Sequence, residues 1–137
     1  ERAGLTGRKV SLSGFTNRAA TAEDNEPRHY WAKPQKSVWF TWASPRNGRA
    51  DIWLKGSDFD TVLAVYRGST LDNLRRVARD DDGGGKLTSR VRFNVRKGRT
   101  YPFAVDGWGG AEGDIAGRLV VKKRKPFSRS RKWWQWR

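Results

Sequence analysis

The stretch that decides the fold is SRVRFNVRKGRTYPFAVDG, residues 89–107. Val91, Phe93 and Val95 alternate there with Arg90, Arg92 and Asn94. A period of two sends successive side chains to opposite faces, so one face is apolar and the other polar. Past a Gly-containing turn, Tyr101, Phe103 and Val105 repeat the pattern. Strands that are apolar on one side need a second layer to cover them.

Similar runs flank this stretch at spacings of roughly ten residues, which suits a sandwich or barrel. They are KVSLSGF (9–15), SVWFTWA (37–43), RADIWL (49–54), TVLAVY (61–66) and DIAGRLVV (114–121). TVLAVY is apolar throughout, as in a strand covered on both faces. STLDNLRRVAR predicts a single turn and then a short strand at Arg76–Arg79. The Asn47-Gly48 pair predicts a hairpin between its flanking strands. Pro102 predicts an edge strand or a bulge, and Gly117 a further bulge. The expected fold is all-β: a jelly-roll-like antiparallel β-sandwich of about eight strands. Residues 1–121 form this domain, and residues 122–137 a cationic Trp-rich tail.

The tail, KKRKPFSRSRKWWQWR, has no alternation. It holds eight of the 29 basic residues and none of the 14 acidic ones, which leaves 21 against 14 in the body. With a net charge of +15, the chain favours a polyanionic partner. Its candidate contacts are Lys122, Lys123, Arg124, Lys125, Arg129, Arg131, Lys132 and Arg137, with Trp133, Trp134 and Trp136 among them. Indoles suit a bilayer headgroup region, stack on bases, or anchor a protein interface. In the body, Arg90, Arg92 and Arg96 are placed on the outward side of one strand. Arg67, Arg75, Arg76 and Arg79 are near in sequence, and pairing of the two elements would make one face strongly positive. Trp39, Trp42 and Trp53 read as core residues, with Trp39 and Trp42 on opposite faces. Trp31 and Trp108 sit in loops, where they either stack on flat ligands or cover the end of the sandwich.

Catalytic chemistry has little to work with. There is no cysteine and one histidine, His29. Zinc would lack ligands, and no nucleophile elbow, P-loop or dinucleotide fingerprint is present. The acidic residues Asp58, Asp60, Asp80, Asp81 and Asp82, with Glu26, are candidates for Ca²⁺, which takes oxygen ligands from Gly-rich acidic loops. They equally suit turn capping or pairing with arginines. No apolar run is long enough to span a membrane. The opening ERAGLTGRKV has no apolar signal-peptide core, as expected of a mature or leaderless form.

An ordered series of features, from roughly Val10 to Val121, resembles the bacterial pre-peptidase C-terminal (PPC-like) domain family. It comprises Glu26-Pro27, Ser37-Val38-Trp39, Gly56-Ser57-Asp58-Phe59-Asp60-Thr61, Ala64-Val65-Tyr66, the Asp80–Asp82 turn, Ser89-Arg90-Val91 and Ala104-Val105-Asp106-Gly107. The resemblance implies an exported, non-catalytic sandwich that accompanies a hydrolase or a surface protein. It also implies that Ca²⁺ could bind at Glu26, Asp58, Asp60 and Asp80–Asp82, since some relatives bind calcium and attach to insoluble polymers. Pro102 and the abundant surface arginines depart from the family pattern. The expected function is attachment, through the basic face and tail, to an anionic envelope surface, a polysaccharide or an acidic partner. The alternatives are nucleic-acid binding, or a structural subunit whose tail is buried in a neighbour.

Overall fold

The structure is a computed structural model that describes residues 2–18, 20, 36–68, 73–81 and 88–124. Nine strands form two sheets. They are β1 (Arg2–Leu5), β2 (Lys9–Thr16), β3 (Val38–Ala43), β4 (Gly48–Trp53), β5 (Thr61–Arg67), β6 (Arg75–Asp80), β7 (Arg90–Val95), β8 (Thr100–Gly107) and β9 (Asp114–Lys122). One sheet has the order β1-β3-β8-β5-β6 and the other β2-β9-β4-β7. The sandwich is therefore all-β, with a 3₁₀ turn at Trp108–Gly110 between β8 and β9.

The core lies where the inward halves of the alternating strands meet. Phe40 from β3 and Phe15 from β2 approach edge-to-face across the layers at 4.9 Å, and Phe93 and Tyr101 do the same at 5.5 Å. Trp42, Leu63, Val65, Phe103 and Leu119 are buried with them. TVLAVY is covered on both faces. Ala64 and Tyr66 join Trp39 and Ala104 in a second buried cluster on the far side of the five-stranded sheet. Trp42 faces the main core and Trp39 this second cluster, so the two do take opposite faces.

Four local expectations change. β3 and β4 lie in different sheets, so SPRNG is a corner between layers and not a hairpin. Gly48 is there for close approach: a Cβ would sit 2.2 Å from the Lys122 carbonyl oxygen. Pro102 lies on central strand β8, but one residue past the last β5 pair, Val65↔Phe103, where no amide is needed on that side. The bulge near Gly117 belongs to the opposite strand, where Ser13 and Gly14 (φ 78°) interrupt the register between Leu12 and Phe15. Finally, β1 has no counterpart in the expected strands. It runs parallel to β3 and covers that strand's edge, while the Trp42 indole donates to the Gly7 carbonyl at 2.9 Å.

Candidate anion-binding surface

The four-stranded sheet turns its outer face to solvent, and register decides what stands on it. Trp53 on β4 pairs with Arg118 on β9 and Arg90 on β7. In the next row Lys9, Val120, Asp51 and Arg92 run across the four strands. Beyond them Lys122, Arg49 and Asn94 stand side by side. The charged residues of these rows, with Val120, Lys123 and Arg124 where the chain leaves β9, line a groove of about 910 Å³. Among its described lining residues are eight cations and one carboxylate, Asp51.

Two devices hold the cations in place. Arg90 grips Asp51 with both ends of its guanidinium, Nε to Oδ1 at 3.0 Å and Nη2 to Oδ2 at 2.7 Å. Arg92 Nε reaches the same Oδ2 at 3.4 Å. Partial burial works against ionisation of Asp51, but the hydrogen bond from Arg90 and the charges of Arg90 and Arg92 outweigh it. Its pKa therefore lies below the ordinary carboxylate value. The bond to Asp51 raises the pKa of Arg90 in turn. The second device is Trp53, whose ring is approached by Arg90 at 4.3 Å, Lys55 at 4.9 Å and Arg118 at 5.6 Å. Such contacts fix a guanidinium without spending its charge. No carboxylate among the described residues pairs with Lys9, Arg49, Arg118 or Lys122.

The arginines near β6 do not join this face, because β7 pairs with β4 while β5 and β6 belong to the other sheet. Arg76 and Arg79 stand on the five-stranded sheet opposite Tyr66 and Ala64. Arg96 lies past β7, in the turn to β8. Trp53, read as core, is half-buried on the outer face. Lys9, Arg49 and Arg118 were not legible as members, because they come from three strands that only the register brings together. Lys125, Arg129, Arg131, Lys132, Trp133, Trp134, Trp136, Arg137 and Trp31 lie outside the described residues.

The acidic candidates sit at the opposite end of the sandwich. Asp58 Oδ1 accepts the Asp114 amide at 2.7 Å, and its Oδ2 lies 3.9 Å from Arg18. The Asp80 carboxylate accepts the Arg90 amide at 2.8 Å, and the Asp81 carbonyl lies 2.6 Å from the Ser89 hydroxyl. The pair thereby stitches β6 to β7 across the two sheets. Asp106 is buried and accepts the Lys36 and Gly107 amides at 2.8 and 2.7 Å. Asn17, fully buried, ties the same end together by accepting the Gly113 amide at 2.8 Å and donating to the Ala111 carbonyl at 3.0 Å. Nothing in the sequence around Asn17 signals that role. Trp108, half-buried, also lies at this end, its amide 2.9 Å from the Asp60 carbonyl. Among the described residues no three acidic or histidine side chains form a metal-binding group. Glu26 and Asp82, the other two calcium candidates, lie outside the described residues.

The two-sheet sandwich resembles the pre-peptidase C-terminal (PPC) domain in fold, and no helix among the described residues is long and apolar enough to cross a membrane. The pre-peptidase C-terminal domain of a collagenase from Bacillus anthracis superposes with a TM-score of 0.50 and 17% identity, over 89% of this chain and 95% of that one. PliG of Aeromonas hydrophila, a periplasmic inhibitor of g-type lysozyme, gives 0.55 and 12%, over 89% and 98%. At these identities the likeness is one of fold. No protein-family model matches the sequence, and no curated protein matches it.

Proposed function

We propose that this chain is a non-catalytic attachment module of an exported bacterial protein, which binds an anionic polymer or surface of the envelope through its basic groove and tail. The observation that carries the reading is the charge ratio in the groove: eight cations, six of them placed by strand register, to one carboxylate. The tail reinforces it, because its first three residues, Lys122–Arg124, already line the groove. Charge supplies long-range attraction and the tail's indoles supply contact area, so binding weakens with salt. Both fold relatives are consistent with export. One accompanies a collagenase and the other is periplasmic. Calcium stands as a separate proposal that needs Glu26 and Asp82 to complete the set of Asp58, Asp60, Asp80 and Asp81.

Retention on an immobilised sulfated polymer, with salt elution, tests the reading. The wild-type chain should elute late, and Arg49→Glu with Arg118→Glu should elute markedly earlier while retaining the native β signal in circular dichroism. Equal retention of the two proteins would show that the groove is not the contact.

A further inference from the structure

The groove does not end at the sheet. Lys123 and Arg124 also line a second hollow of about 580 Å³, with Arg96, Arg99, Asn47 and Asn94. Arg99 in turn lines a third of about 360 Å³, with Arg67, Arg75, Asn73 and Thr100. No acidic residue is among the described lining of the second or third hollow. The three are joined by shared cations, so one positive path crosses the four-stranded sheet, rounds the end of the sandwich and reaches the β5–β6 end of the other sheet. Its legs measure roughly 13 Å along β9 from Arg118 to Lys122 and roughly 10 Å between layers.

Three observations narrow what can follow such a path. It turns a corner, so a flat bilayer can touch only part of it. Duplex DNA, stiff over roughly 50 nm, cannot bend round one small domain. Binders of single-stranded nucleic acid offer aromatic faces for stacking. Among the described residues along and beside the path, Trp53 lies under guanidinium groups, and Tyr101 is buried with its hydroxyl 3.0 Å from the Arg96 amide. The described path therefore fits a flexible linear polyanion better than a strand of stacked bases. Side-chain amides and hydroxyls between the cations, from Ser11, Asn47, Asn94 and Thr100, suit a polymer that carries hydroxyl groups as well as charge.

We infer that the basic path is a site for a linear anionic polysaccharide that runs from the outer face of the four-stranded sheet round the Arg96–Arg99 end of the sandwich. This rests on the attachment reading above and names its partner class.

The experiment uses the full chain, a size-fractionated series of heparin oligosaccharides, long-chain polyphosphate, and phosphatidylglycerol vesicles. Three proteins are compared: wild type, the face pair Arg49→Glu with Arg118→Glu, and the end pair Arg96→Glu with Arg99→Glu. Circular dichroism confirms that each is folded. Affinity should rise with oligosaccharide length, and the end pair should cost the long fragments about tenfold or more. It should leave vesicle binding unchanged. Length-independent binding, or an end pair without effect while the face pair still weakens binding, overturns the path but leaves the attachment reading standing. Polyphosphate or vesicles binding as tightly as the long fragments overturns the polysaccharide assignment. No binding to any probe, or a face pair without effect, overturns the attachment reading itself.

Discussion

Asp51 shows how one side chain sets the charge of a surface. It is the one acid among the described lining residues of the groove, and it holds two arginines at once. Asp51→Asn removes a negative charge and leaves the shape, so polyanion affinity should rise a few-fold, on the order of 0.5 kcal/mol per nearby ligand charge. Isothermal titration at low salt measures this. Stability should move the other way. The folded pKa of Asp51 is lowered, so its carboxylate contributes fully above the unfolded value of about 3.9 and loses that contribution as pH falls through the lower folded value. Chemical unfolding at acid pH should show this loss in the wild type and less of it in Asp51→Asn. Asp58 offers a second test. Asp58→Ala deletes the acceptor for the Asp114 amide and should cost about 1 kcal/mol with or without Ca²⁺. A cost seen only with Ca²⁺ present would show that the carboxylate holds a cation.

At the scale of elements, the decisive pairing is β9 between β2 and β4. It places Arg118 and Lys122 beside Trp53 and Arg49. Gly117 permits this approach, because a Cβ there would lie 2.3 Å from the Trp53 carbonyl oxygen and 2.8 Å from the Leu54 Cα. Gly117→Ala should cost about 2 kcal/mol through backbone displacement, and the same shift should weaken anion binding; thermal melts and titration read the two together. The edge strand β6 is protected differently. A bulge leaves Val77 exposed, between Arg75, Arg76 and Arg79. Charges and a bulge on an edge oppose pairing with another sheet.

The described part of the molecule is polarised along its strands. Asp58, Asp106, Glu112 and Asp114 gather at the end where β9 begins, and Arg96, Arg99, Lys123 and Arg124 at the end where it finishes. Within the acidic end, Lys36 bonds Glu112 at 2.6 Å and Arg18 bonds Asp114 at 2.5 Å, so those cations are spent locally. A domain charged in this way should approach a polyanion basic end first, and its association rate should fall steeply with ionic strength. Stopped-flow tryptophan fluorescence across a salt series checks this. Truncation after Arg124 should leave the melting transition in place and reduce polyanion affinity, since the described sandwich is closed by β9 before residue 125.

Alternation determined which residues of β7 and β8 point inward, and an unbroken apolar run that β5 is covered twice, because both patterns are local to a strand. The excess of positive charge was also plain, since composition needs no coordinates. Only the tertiary structure decided where that charge stands. Lys9, Arg49, Arg90 and Arg118 are far apart in the chain and meet through register, which a single sequence does not print. The same holds for β1, four residues without alternation that form a strand because an edge of β3 receives them. It holds too for Asn47-Gly48, a turn signal that serves a corner between sheets because the partner strand, β7, lies elsewhere in the sequence.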